Sequence, residues 1–160
     1  MKQWYEENPK LLEEEKEAMT KFFPNFKLEK LDDGRLFWYS ELCPGIYETK
    51  FGVKKNYTVM ATYNNNHPKQ VMGPSVRIYP ILPDVDELFQ EIGFRFNVLM
   101  DSCGCKYLCS LEGDLPLRQV AQSACYYLAC AMKIFCGIDL LLTGDLTKEE
   151  IEGKYWFYGR

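Results

Sequence analysis

Phe26-Lys27-Leu28-Glu29-Lys30-Leu31, then Asp32-Asp33-Gly34, then Arg35-Leu36-Phe37-Trp38-Tyr39-Ser40-Glu41-Leu42 decides the fold class. Apolar and polar residues alternate through the first run, a turn tripeptide interrupts them, and an aromatic-rich run returns. Alternation with period two is the pattern of a strand that buries one face, and Asp-Gly at the joint is turn chemistry. The stretch predicts an antiparallel hairpin. A lone hairpin is marginal in water, so further strands or a helix must cover its apolar face.

Upstream, Asn8-Pro9 offers an N-cap followed by proline at the first helical position, and strong helix formers continue to Met19. Leu11, Leu12, Glu15, Ala18, Met19, Phe22 and Phe23 form one stripe at helical spacing, and Pro24 ends it. This predicts an ordinary surface helix over residues 8–23. Downstream, turn signals at Cys43-Pro44-Gly45 and Lys54-Lys55-Asn56 surround Ile46 to Val53, and Tyr57 to Tyr63 alternates as a further strand. Asn64-Asn65-Asn66-His67-Pro68 reads as a loop in which side chains bond their own backbone, and Gly73-Pro74 leads into a strand over Ser75 to Pro80. An antiparallel meander results.

From Pro80 to Gly104 the pattern weakens, with room for a short helical turn over Asp84 to Ile92. Asp114-Leu115-Pro116 predicts the start of a long helix over Leu117 to Leu142, with Val120, Ala124, Leu128, Ala131 and Phe135 on one face and a kink or break at Gly137. Thr143-Gly144 stops it, and Asp145-Leu146-Thr147 caps a short final segment opened by Lys148-Glu149-Glu150. Helix, meander, cysteine-bearing segment and long helix make an α+β chain. At 160 residues a single domain over 1–160 is expected.

Composition narrows the function classes. Hydrophobic residues at 47% and charged residues at 26% exclude a disordered chain. A net charge of −4 with scattered basic residues argues against a nucleic-acid surface. The apolar run from Ala124 to Leu142 is interrupted by Lys133, Gly137 and Asp139, which predicts a buried helix and no membrane association. No secretion signal is read at Met1-Lys2-Gln3-Trp4-Tyr5, and seven cysteines, an odd number, predict free thiols in a reducing cytoplasm.

Three of those cysteines lie in Asp101-Ser102-Cys103-Gly104-Cys105-Lys106-Tyr107-Leu108-Cys109-Ser110-Leu111-Glu112. Structural zinc wants two ligand pairs, and here the second pair is missing; His67 is the sole histidine and Cys43 is isolated. Neither a metal nor a cofactor is expected. A reactive thiol must reach solvent, which suits an irregular Gly- and Ser-containing segment, so Cys103, Cys105 and Cys109 are the candidate nucleophiles. Cys125, Cys130 and Cys136 follow helical spacing and read as core filler. A papain-like Cys-His set lacks any local signature.

The chain resembles the ubiquitin-conjugating (E2) superfamily in the form of its bacterial members. Tyr57 to Pro68 followed by Pro74 to Pro80 resembles that family's strand, proline-containing loop and next strand, and Leu108-Cys109-Ser110-Leu111 resembles its active-site element, with Gly104 fitting the turn before it. Phe23-Pro24-Asn25-Phe26, Leu36-Phe37-Trp38, and Leu142-Thr143-Gly144 with Glu149, Glu150 and Gly153 add to the likeness, which spans roughly residues 10 to 155. It rests on the order and spacing of these pieces. The resemblance implies a UBC-like fold: an N-terminal helix, a four-stranded antiparallel meander, an active-site segment and C-terminal helices.

It also implies an activity. Cys109 would accept a protein C-terminus as a thioester and pass it to an amine, with Cys105 the second choice and Cys103 the third. The carried protein would be a cyclic-oligonucleotide synthase or a ubiquitin-like protein, activated by a separate E1-like enzyme or supplied as a preformed acyl donor, in a CBASS-type or related bacterial anti-phage operon. The family's His-Pro-Asn tripeptide would fall at Leu99-Met100-Asp101, where an ionised Asp101 cannot donate a hydrogen bond. Asp101 reads first as a turn residue, and Asn97 is the nearby donor. Glu112 and Asp114 can orient or deprotonate an incoming amine, or stand as solvated loop acids. The alternative is a non-catalytic UBC- or RWD-like binding module.

Overall fold

The computed structural model describes residues 2–69, 74–108 and 123–152. A short helix α1 (Trp4–Glu7) precedes α2 (Pro9–Phe22), and β1 (Lys27–Lys30), β2 (Leu36–Leu42), β3 (Tyr57–Tyr63) and β4 (Val76–Leu82) follow. Next come α3 (Val85–Ile92), β5 (Val98–Met100), β6 (Lys106–Leu108), α4 (Ala124–Thr143) and α5 (Lys148–Glu152). The class is α+β, with β1-β2-β3-β4 paired antiparallel in sequence order.

Local chemistry sets most boundaries. Asn8 Oδ1 accepts from the Leu11 N–H at 3.3 Å and Pro9 opens α2. The turn after β1 closes with Gly34 N–H donating to the Leu31 carbonyl and Gly34 at φ +91°, a conformation that costs glycine little. β4 is an edge strand, and its ladder slips between Thr58 and Val59, so Pro80, which has no N–H to give, sits where none is needed. Thr147 and Glu150 exchange hydrogen bonds as a capping box for α5.

One face of the sheet carries Trp38, Val59, Ala61, Tyr63, Val76 and Ile78, all buried against α4 and α2. From α4, Ala124, Leu128, Ala131 and Phe135 are buried as their spacing predicts; Val120 lies outside the described residues. Among the described residues α4 alone is long and apolar enough to cross a bilayer, and half of its most apolar window is buried against the protein.

Several expectations are corrected. α4 does not run from Leu117: Ser123 is extended, and its hydroxyl caps the Tyr126 N–H at 3.2 Å, so the helix begins at Ala124. Gly137 does not split it. The helix penalty of a glycine is about 1 kcal/mol, and burial of Phe135 and Ile138 beside it outweighs that. Phe22 is 62% exposed and belongs to no core stripe, whereas Glu15 is 4% exposed, so α2 is more than a surface helix. The weakly patterned region before Gly104 holds β5, the first strand of a regular hairpin that β6 completes after Gly104, in register Val98↔Leu108, Leu99↔Tyr107 and Met100↔Lys106.

Candidate functional site

β6 returns along the side of β4 that carries Arg77 and Tyr79. The Tyr107 ring lies 5.8 Å from the Tyr79 ring, and the Arg77 guanidinium carbon stands 4.6 Å over Tyr107. Leu108, of opposite orientation on the pleat, is buried in the core. This alternation docks a hairpin of only three paired positions firmly onto the sheet.

The hairpin's turn is organised by Asp101. Its Oδ1 accepts from the N–H groups of Cys103 at 2.9 Å and Cys105 at 2.8 Å, and its Oδ2 accepts from the Tyr79 hydroxyl at 2.9 Å. Gly104 donates its N–H to the Asp101 carbonyl at 3.1 Å, and Asp101 donates its own to Cys105 at 2.9 Å. The Cys105 N–H, chiefly, holds the Asp101 carboxyl below its usual range, with Tyr79, Cys103 and Arg77 adding to the effect. Asp101 is therefore an acceptor fastened on three sides, as its reading as a turn residue expects.

Cys103 and Cys105 are exposed on this turn. Both line a groove of about 600 Å3 on the outer sheet surface, floored by Met60, Thr62, Tyr79 and Ile81. Lys106 Nζ is paired with Asp86 of α3, which closes one side of the groove and holds Asp86 below the usual carboxylate range. Thr62 is 2% exposed, and its hydroxyl has no partner among the described residues.

Asn97 is half-buried just before β5, at the opposite end of the hairpin from Asp101. Cys109, Glu112 and Asp114 lie outside the described residues. The hairpin thus gathers Asp101, Cys103 and Cys105 at its turn and separates them from Asn97. Among the described residues no group of three or more His, Cys, Asp or Glu side chains could hold a metal ion.

The remaining thiols and His67 sit elsewhere. Cys125, Cys130 and Cys136 on α4 are half-buried, not fully enclosed, and burial raises each thiol's pKa, that of Cys125 to about 11. His67 lies in the loop after β3, as expected, but its ring is not tied to its own backbone. It is 3% exposed, with Nδ1 3.1 Å from Ser75 Oγ and its ring edge-on to Trp4 and Tyr63. Burial pushes it down to about 3, so the 3.8 Å approach of its Nε2 to Glu15 Oε1 is a contact of a neutral imidazole and not an ion pair.

Tyr79 and Thr62 were not singled out by sequence reasoning. The alternation Thr58, Met60, Thr62 does put Thr62 on the sheet face opposite Tyr57, Val59, Ala61 and Tyr63. Nothing local announces that a distant hairpin packs against that face. No family model, curated protein or solved structure matches this chain.

Proposed function

We propose that the protein is an E2-like conjugating enzyme with a UBC-like fold, in which Cys109 carries a protein C-terminus as a thioester. The observation that carries this reading is the register of the hairpin that leads into Cys109. Val98 opposes Leu108, so Asn97 stands at the end of the hairpin from which the chain continues to Cys109. Asp101 stands at the other end and is an acceptor only. The element order supports the same reading: helix, four-stranded meander, hairpin, long helix.

In this scheme the Cys109 thiolate attacks the activated carbonyl of the incoming tail, and the leaving group departs from the tetrahedral intermediate. The Asn97 carboxamide, together with backbone N–H groups near Cys109, donates to the oxyanion. An acceptor amine, oriented by Glu112 or Asp114, then attacks the thioester carbonyl, and Cys109 leaves as thiolate. The carried tail belongs to a cyclic-oligonucleotide synthase or a ubiquitin-like protein, activated by a separate E1-like enzyme or presented as a preformed acyl donor. Bacterial anti-phage defence in the cytoplasm is the setting the family resemblance supplies.

The test is a reducible adduct with the native partner on a non-reducing gel. Cys109→Ser and Cys109→Ala abolish it, while Cys103→Ser and Cys105→Ser leave it; an adduct unchanged in the Cys109 variants refutes the assignment. The engagement of Asp101 as an acceptor favours a second reading, a binding module of the same fold that forms no thioester. A tail-mimetic electrophile separates the two, since a module traps it at Cys109 no faster than at the partly buried cysteines of α4.

A further inference from the structure

The turn that the conjugating chemistry leaves unused holds two thiols of its own. We propose that Cys103 and Cys105 are a dithiol exchange site that closes to an intrachain disulfide on reaction with a low-molecular-weight disulfide such as glutathione disulfide. Both residues are exposed and both line the same groove. Cys43 is exposed too, but it lies on the β2–β3 connection, distant in sequence from the pair.

Chain geometry favours this pair. A disulfide requires Cα atoms no more than about 6.8 Å apart. Two residues separated by one other span about 6.6–7.2 Å in an extended chain, which straddles that limit. Here the intervening residue is Gly104 at φ +84°, in a turn closed by its N–H on the Asp101 carbonyl, so the backbone is bent between the two thiols. A Cβ built on Gly104 would meet nothing within 4 Å, so the turn has open space in which to adjust as the ring closes. Asp101 holds both cysteine N–H groups on a single carboxylate oxygen, which fixes the two residues relative to one another.

The exchange runs in two displacements. One thiol loses its proton, and its sulfur attacks glutathione disulfide; the glutathione S–S bond breaks, a mixed disulfide forms and one glutathione leaves as thiolate. The second thiol, deprotonated in turn, attacks the protein sulfur of that mixed disulfide. The Cys103–Cys105 bond forms and the second glutathione leaves. The two protons end on the two glutathione thiols, so the protein dithiol is oxidised by two electrons and glutathione disulfide is reduced by two.

The site is independent of the thioester reading, and its test is run on the full chain both as wild type and as Cys109→Ser. Each protein is incubated with glutathione disulfide, free thiols are alkylated, and peptides are mapped by mass spectrometry. The expected product in both proteins is a peptide two hydrogens lighter, with Cys103 joined to Cys105. In Cys103→Ser or Cys105→Ser the remaining thiol, lacking its resolving partner, instead retains one glutathionyl group. A stable glutathionyl adduct on the wild-type pair, unreacted thiols at both positions, or a disulfide to Cys109 in place of the Cys103–Cys105 bond overturns the proposal.

Discussion

Glu15 Oε1 lies 2.8 Å from the Tyr63 hydroxyl, which donates to it while accepting from the Trp38 indole N–H at 2.7 Å. The same carboxylate oxygen accepts from the Ala124 N–H at 2.9 Å, at the first residue of α4. One side chain from α2 thereby joins the central sheet to the start of the core helix. A buried acceptor serving two donors is worth more than its net hydrogen bonds, because its loss strands groups that water cannot reach.

Glu15→Leu is expected to destabilise the protein by about 2–3 kcal/mol, since the Ala124 N–H and the Tyr63 hydroxyl lose their acceptor in a buried site. Glu15→Gln keeps an oxygen there and is expected to cost less than about 1 kcal/mol. Burial, the largest effect, raises the Glu15 pKa above 4.5. A carboxyl raised on folding binds more protons folded than unfolded, so its contribution is fully present below the unfolded pKa and is lost as pH rises through the folded one. The Gln variant therefore gains on the wild type as pH rises, which urea melts at a series of pH values measure.

His67 has the opposite sign. Burial takes it from 6.5 to about 3, so below 6.5 the unfolded chain binds a proton that the folded one refuses. Stability then falls as pH falls, by about 2 kcal/mol between pH 7 and pH 5. Ser75, Trp4, Tyr63 and Glu15 surround the ring, and of these Glu15 is the carboxyl whose own titration runs against that of His67. The difference in slope between wild type and His67→Gln isolates the histidine, and equal slopes would remove it as the cause.

A second long-range clasp is Asp139, fully buried on α4. Its Oδ1 accepts from the Tyr57 hydroxyl at 2.6 Å and its Oδ2 from the Tyr47 N–H at 3.1 Å, so it ties both β3 and the β2–β3 connection to the helix. Asp139→Ala strands two donors and is expected to cost about 2–4 kcal/mol. Hydrogen exchange should quicken first at Tyr47, before the sheet amides, because the Tyr47 N–H loses its acceptor directly.

The contrast between legible and hidden features follows the range of the interactions. Asn8-Pro9, Asp32-Asp33-Gly34 and the alternation from Tyr57 to Tyr63 act within a few residues, and the helix start, the turn and the strand fall where they predict. Glu15 falls on the stripe by its spacing, but its role was hidden because its partners are 48 and 109 residues away. The β5-β6 strands are three residues long with Leu99 and Met100 exposed, so no alternation marks them; the sheet surface they dock on supplies what their sequence lacks. Ser123 was not legible as a helix cap, because the buried contact of the Ala124 N–H beside it is with Glu15, 109 residues away. At the site, Asp101 as a turn residue was legible from its place before Gly104, whereas its third partner, Tyr79, sits on another strand and was not.

Asp101 gives the sharpest test of how the candidate site is held together. Its carboxylate has one oxygen on the Cys103 and Cys105 amides and the other on the Tyr79 hydroxyl. Asp101→Ala removes all three contacts, and the amides of Cys103 and Cys105 should lose their exchange protection while those of β2 and β3 keep theirs. Asp101→Asn retains the Oδ1 acceptor, and its amide nitrogen can donate to Tyr79 once that hydroxyl turns to accept, so the turn should survive. The chemical shift of the Tyr79 ring reports which partner arrangement is present. Since the Asp101 pKa is lowered chiefly by the Cys105 amide, the wild-type turn is held above pH 3.8 and loosens as pH falls through the depressed folded value. Asn, which does not titrate, should lack that acid response; an identical response in both proteins would mean that Asp101 does not fasten the turn.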